Sequence, residues 1–182
     1  ILLLAKYCKI NSEKYFKEKL EQTVEFLRLE FLNKDKLLGS AYDADSEGEE
    51  GKYYVFEYGE IKNIDKINEY FEVSASGNWE NKNILVEKNK PPKAIIEKLL
   101  EIRKKRKKPF FDDKSQLDLN CLWVSSLIAA HEILPEKKYL NLAESFFSII
   151  EEKYIKKNSI LNLGNSGTLA RLLIGILSTT PN

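Results

Sequence analysis

From Glu13 to Leu32 the apolar positions Tyr15, Phe16, Leu20, Val24, Leu27 and Phe31 recur at steps of three and four, with Lys, Glu and Gln on the other side. That period lays one stripe against a core and predicts an amphipathic helix. Asn11 and Ser12 stand before it, where their side chains can accept bonds from the unpaired N–H groups of its first turn. Ile1–Ala5 holds no polar residue, so residues 1–9 read as the end of a buried helix already under way, and the chain is expected to be a fragment. Pro91-Pro92 opens a further helix running to about Arg106. From about Gln116 to Leu134 apolar residues lie on every side (among them Leu117, Leu119, Leu122, Trp123, Leu127 and Ile128), which predicts a helix buried all round. Ser115 and Asp118 have capping-box spacing at its head. After the short turn Pro135–Lys138, the segment from about Tyr139 to Tyr154 is one-sided, with Leu142, Ala143, Phe146, Phe147 and Ile150 facing in.

A helix buried all round, a tight turn and a half-buried helix make an αα-hairpin. Residues 1–32 repeat the alternation, and concentric inner and outer helices would produce it. The expected fold is therefore mainly α, an incomplete α/α toroid over residues 1–153, with a small β excursion near 39–56 and a separate tail at 154–182.

The excursion departs from the helical rhythm. In Gly39-Ser-Ala-Tyr-Asp-Ala-Asp-Ser-Glu-Gly-Glu-Glu-Gly51 five carboxylates (Asp43, Asp45, Glu47, Glu49, Glu50) crowd into a few positions. A core cannot hold so many unpaired charges, so the loop must face water, a cation or a polar ligand. Lys52-Tyr-Tyr-Val-Phe56 is rich in β-favouring residues and predicts a short strand that anchors it. A weak helix is expected around Ile61–Phe71, and Gly77-Asn-Trp-Glu-Asn-Lys-Asn83 leads into Ile84-Leu-Val86. The aromatic content of this long polar stretch argues for order.

Composition narrows the function classes. Charged residues make up 31% and apolar ones 43%, a globular balance, and the net charge of +1 gives no overall field to steer a polyanion. Arg103-Lys-Lys-Arg-Lys-Lys108 is read as a solvated helix C-terminus and not as a nucleic-acid patch, because no aromatic residues interleave the charges. No apolar run approaches the ~20 residues that span a bilayer. Cys8 and Cys121 are far apart in apolar surroundings and read as reduced core thiols, which points to the cytoplasm.

Candidate chemistry centres on carboxylates. Asp43-x-Asp45-x-Glu47-Gly48 imitates an EF-hand start, but the twelfth position is Tyr54, where a bidentate Glu is needed. An EF-hand is excluded; a looser cation site stays open, and no resident metal or cofactor is expected. Asp43 facing Asp112 or Asp113 across a toroid mouth would make a paired-carboxylate hydrolase, the inverting type holding its carboxyls ~6.5–9.5 Å apart, with Asp45 a further catalytic candidate. The alternative is that Asp112 and Asp113 only stabilise a helix N-terminus. Trp79, beside a glycine-opened loop, is either a sugar-stacking platform or a surface plug. His131, the one histidine, sits on an apolar stripe and reads as a packed core residue.

Ser40-Ala-Tyr-Asp-Ala-Asp-Ser-Glu-Gly-Glu-Glu-Gly-Lys-Tyr-Tyr-Val-Phe56 resembles a signature of the thioredoxin-domain proteins whose vertebrate member is called spermatogenesis-associated. Gly77–Leu85 and Arg106…Pro109…Asp112-Asp-Lys114 follow at the spacing of that family. The resemblance implies an N-terminal thioredoxin-like domain, absent here, followed by a six-hairpin toroid like those of glycoside hydrolases. On that footing the acidic-loop face would bind or process a carbohydrate-like molecule, with Tyr42, Glu47, Trp79 and Asn120 as ligand contacts. Where the family has Trp-Asn-Gly this chain has Leu119-Asn120-Cys121, so only Asn120 carries over. A non-catalytic scaffold is the competing reading. The tail Leu163-Gly-Asn-Ser-Gly-Thr-Leu-Ala-Arg171 resembles a motif of 3-phosphoshikimate 1-carboxyvinyltransferase. That resemblance implies an anion site from Asn165, Gly167 and Thr168 with Arg171 close by, at a glycine turn before a helix. One chain would then join pieces of two families, with the junction near Tyr154–Ile160.

Overall fold

The computed structural model describes residues 1–155, with the side chain of Ile155 excepted. The tail positions Asn165, Gly167, Thr168 and Arg171 lie outside the described residues. The described chain is mainly helical with small antiparallel ladders, and none of its helices is long and apolar enough to cross a membrane. It divides into two units: residues 1–41 with those from 112 onward, and the intervening residues 42–111.

The first unit contains α1 (Leu2–Ile10), α2 (Lys14–Glu30), α6 (Leu117–Ile133) and α7 (Lys137–Ile150), the last running into a π-helical turn at Glu151–Ile155. Neither Asn11 nor Ser12 caps α2: Glu13 is its N-cap and no side chain bonds the first turn, the Asn11 side chain instead accepting the Glu13 N–H at 2.9 Å just ahead of the helix. Leu20 and Val24 of α2, Trp123, Leu127 and Ala130 of α6, and Ala143, Phe146 and Ile150 of α7 fill one core. Each such burial contributes on the order of 1.5–3 kcal/mol for the larger side chains. Trp123 meets Phe146 edge-on at 6.0 Å, which keys α6 to α7.

Ion pairs brace this unit from outside. Lys9 bonds Glu132 (2.6 Å), Lys138 bonds Glu21 (3.0 Å) and Lys153 bonds Asp35 (2.6 Å). The Lys153 bond holds the Asp35 carboxyl below its ordinary value, and the Lys9 bond does the same for Glu132. Both depressed carboxylates add stability above the unfolded carboxyl pKa, and that support fades as pH falls through their folded values. As exposed pairs they contribute little each.

Three further expectations change in this unit. The helix α6 is apolar all round but is not covered all round: Leu119 and Ile128 remain 37% and 46% exposed. Ser115 does not cap it. Gln116 occupies the cap position, and the Ser115 hydroxyl accepts a bond from Asn33 Nδ2 at 2.7 Å. His131 is half-exposed near the end of α6, with Nδ1 3.2 Å from the Glu136 carbonyl oxygen, so it is not a packed core residue.

Cys121 is buried in α6. Burial pushes its thiol pKa up, and the Asp118 carboxylate adds to the shift. A thiol raised in the folded state stabilises the fold below its unfolded pKa, and this contribution is lost as pH rises through the folded value. Native Cys121 is expected to resist iodoacetamide near pH 8 and to react on unfolding, which peptide mass spectrometry would read. Native labelling as fast as in urea would contradict the packing described.

The second unit contains α3 (Tyr58–Ile61), α4 (Ile67–Tyr70) and α5 (Lys93–Lys104). Its ladders pair β2 (Asp45–Ser46) with β3 (Glu49–Glu50), and β4 (Phe71–Glu72) with β5 (Val86–Glu87). The remaining strands, β1 (Ala41–Tyr42) and β6 (Phe111–Asp112), are the short segments at which the chain passes between units. Phe56, Ile61, Ile64, Ile67, Phe71, Ile95 and Leu99 form its core.

Two expectations change here as well. The predicted helix over 61–71 is two single turns, broken where Lys66 takes a left-handed φ of 58°. The predicted strand over 52–56 is mostly a tight turn, in which Tyr54 and Val55 return their N–H groups to the Gly51 carbonyl at 2.8 and 3.2 Å. Only Phe56 joins a bridge, with Asn83.

Candidate functional site

The acidic loop is a β-hairpin. Asp45 faces Glu50 and Ser46 faces Glu49, with Glu47-Gly48 as a two-residue turn at φ 57° and 78°. Both positive φ values belong to a type I′ turn, whose twist matches that of the flanking strands, and glycine takes the second position without strain. The buried Ser46 hydroxyl donates to the Lys107 carbonyl at 2.6 Å and fastens the hairpin to the rest of the unit. The carboxylates stay outside and take lysine partners: Glu47 pairs with Lys52 at 3.0 Å, and Glu49 with Lys82. Asp43 accepts the Asp45 N–H at 3.3 Å. Among the described residues no group of three metal-ligating side chains converges.

Arg106 sets the base of this hairpin. Its Nη1 donates to the carbonyls of Lys52 (3.2 Å), Tyr53 (3.1 Å) and Val55, and its Nη2 lies 3.0 and 2.8 Å from the two oxygens of Glu60. Its guanidinium also sits over the Phe56 ring at 4.7 Å. Arg103 lies over the rings of Tyr53 and Tyr54. Two arginines of the basic run are therefore packed against the unit, and the run is not wholly a solvated helix end.

The second aromatic element is the Gly77–Asn83 turn. Gly77 has φ 74°, and a Cβ there would sit 2.4 Å from the Lys82 carbonyl oxygen, so only glycine fits. Asn83 is fully buried; its Oδ1 accepts the Ser74 N–H at 2.9 Å and its Nδ2 donates to the Ser74 carbonyl at 3.1 Å. Its backbone exchanges two bonds with Phe56 (2.9 and 2.7 Å). These contacts place Trp79, half-buried, with its benzenoid edge over Gly51 at the end of the acidic hairpin.

Between these pieces lies a pocket of about 400 Å³ lined by Glu49, Lys52, Glu57, Glu60, Lys82 and Arg106. Among the described residues three cations face three carboxylates, so that wall is rich in donors and acceptors while its formal charge sums to zero. Such a lining suits a neutral ligand with many hydroxyls better than an ion.

The predicted site residues distribute as follows. Tyr42, Asp43, Asp45, Glu47 and Trp79 belong to the second unit, where Tyr42 stacks on Phe111 at 4.7 Å. Asp112, Asp113 and Asn120 belong to the first. There Asp113 lies 3.8 Å from Lys34, and Asp112 lies 3.6 Å from Lys114. Asn120 is 0% exposed. Its amide accepts the Leu38 N–H (2.8 Å) and donates to the carbonyls of Leu38 (3.1 Å) and Gln116 (2.9 Å), so it clamps the chain after α2 to α6. Glu60 carries no signal in the sequence analysis, whereas Lys82 and Asn83 fall inside the glycine-opened turn and Arg106 heads the Arg106…Pro109 block of the family resemblance, none of them with a site role assigned.

No family model and no curated protein matches this chain.

Proposed function

We propose that the second unit binds a neutral, carbohydrate-like ligand in the pocket beside the acidic hairpin, with Trp79 as the flanking aromatic surface. The charge-balanced lining next to a half-buried indole is the observation that carries this reading. A wall of mixed donors and acceptors can satisfy several hydroxyls at once, and an indole face beside it can cover the apolar face of a pyranose. The likeness of residues 40–56 to the thioredoxin-domain family, whose helical region would be a six-hairpin toroid, supports the same ligand class. The proposal is one of binding. Asp43 and Asp45, of the same unit, remain the proposed carboxylates if the bound sugar is also turned over.

Calorimetric titration with a panel of neutral tri- and tetrasaccharides tests it. Saturable binding is expected for at least one member, weakened tenfold or more by Trp79→Ala, which corresponds to about 1.4 kcal/mol. Sialylated or aminated analogues are expected to bind less well, because the pocket has no net charge to offset theirs. The absence of a saturable response to every neutral sugar at millimolar concentration, with the protein folded, would overturn the proposal.

A further inference from the structure

The side chains that line the pocket beside the acidic hairpin differ in how much hydrogen-bonding capacity they keep. Arg106 is engaged on both sides: its Nη1 serves the carbonyls of Lys52, Tyr53 and Val55, and its Nη2 grips both oxygens of Glu60. Glu60 Oε2 also accepts the Glu57 N–H at 2.8 Å, and the Glu57 carboxylate accepts the Glu60 N–H in return, as a capping box. Lys52 reaches to Glu47, which does not line the pocket. Glu49 and Lys82 are different. Lys82 Nζ bonds Glu49 Oε1, both residues line the pocket, and neither side chain has a second partner among the described residues. An ammonium carries three donors and a carboxylate roughly four acceptor sites, so each member of the pair keeps capacity for a ligand. With side chains 23% and 46% exposed, Lys82 and Glu49 are also within reach of one. Lys82 exchanges backbone bonds with Trp79 (2.8 and 3.0 Å), so the ammonium and the indole belong to one turn, while Glu49 belongs to the acidic hairpin.

From this inventory we propose that Glu49 and Lys82 are the specificity-determining residues of the pocket and that they read a vicinal diol. Lys82 Nζ donates to one hydroxyl oxygen of a pyranose, and the neighbouring hydroxyl donates to Glu49 Oε2. A bonded ion pair sets a donor and an acceptor side by side, as two hydroxyls on adjacent ring carbons are set. The pair has no net charge, so it favours that pattern over an ion. This assignment rests on the carbohydrate reading of the pocket and narrows it to two residues and one hydroxyl pattern.

The test uses the full chain labelled with ¹⁵N, whose Trp79 and Trp123 give the two indole N–H resonances, assigned by Trp79→Phe. The probes are methyl β-D-glucopyranoside, methyl β-D-galactopyranoside and methyl α-D-mannopyranoside, each paired with its 3-deoxy analogue. Loss of the 3-hydroxyl breaks both vicinal pairs of such a ring and leaves its other groups in place. At least one parent glycoside should shift the Trp79 resonance saturably, at a Kd on the order of 1 mM for so few atoms. Its 3-deoxy analogue should bind at least tenfold more weakly, because one buried partner is then left unmatched. Lys82→Met should weaken the parent at least tenfold and the analogue less than threefold, since a lone hydroxyl cannot engage both members of the pair. Glu49→Gln, which keeps the shape of its side chain, should show the same asymmetry; a residue that only braced the turn would weaken parent and analogue alike. Where a variant is not folded, the comparison of parent with analogue on the native chain decides. An analogue that binds as tightly as its parent, or folded variants that weaken both alike, would overturn the assignment and leave the carbohydrate reading standing. No saturable shift with any parent glycoside overturns the assignment too, and the oligosaccharide titrations then decide whether the carbohydrate reading falls with it.

Discussion

Asn120→Ala is expected to destabilise the first unit by about 4 kcal/mol. The wild-type amide supplies the partners of both the N–H and the C=O of Leu38, a residue that is itself buried. Truncation strands both backbone groups, and each orphan costs roughly 1–3 kcal/mol. The Gln116 carbonyl is not stranded, because it also accepts the Asn120 backbone N–H at 3.1 Å. The loss should appear in urea unfolding followed by Trp123 fluorescence, and in faster amide exchange at Leu38. A companion variant separates the clamp from simple loss of volume. Asn120→Asp keeps the shape and the acceptor but cannot donate to Leu38 when ionised. Burial raises the pKa of the new carboxyl, so the variant should regain stability as pH falls and lose it as pH rises through that value. If Asn120→Ala costs less than about 0.5 kcal/mol, the amide does not hold the segment after α2.

The helices were legible because their signal is local. In α2 and α7 the three-and-four spacing of apolar residues set the extent and most of the inward face, Tyr15 at 53% exposure being the exception, and boundaries came within a few residues. In α6 the same signal reached its limit. Periodicity reports which side chains are apolar, and it does not report which neighbours exist to cover them, so Leu119 and Ile128 read as buried and are not. Ser115 and Asp118 satisfy a spacing rule, yet Asn33, distant in sequence, reaches the Ser115 hydroxyl and Gln116 takes the cap. The strand expected at 52–56 rested on β-propensity. What decides that segment is the Gly51 turn, together with an arginine some fifty residues on that collects the freed carbonyls. For the site, the outward display of the acidic loop followed from charge alone. Arg106, Asn83 and Lys82, the partner of Glu49, depend on tertiary placement, which no short window of sequence encodes.

Arg106→Lys is the complementary prediction for the second unit, and it bears on binding as well as stability. The guanidinium is only 18% exposed on its side chain, and its planar fork serves three carbonyls on one side and both oxygens of Glu60 on the other. An ammonium keeps the charge but has no fork, so it cannot meet the turn carbonyls and grip Glu60 bidentately at once. Charge-assisted bonds contribute about 1.5–3 kcal/mol each, and at least one such contact is lost, so a cost of about 3 kcal/mol is expected. Trp79, resting on Gly51 at the edge of the same turn, gives the fluorescence signal for thermal and urea unfolding. Because Lys52, Glu60 and Arg106 itself line the pocket, sugar affinity should fall by more than tenfold even at a temperature where the variant is folded. Glu60→Gln tests the same joint from the other partner. It retains an acceptor but loses the charge, so it should soften the turn less than Arg106→Lys does. Equal affinity and an unchanged melting temperature in Arg106→Lys would mean that the acidic hairpin stands without this clamp, and that the pocket is not organised by it.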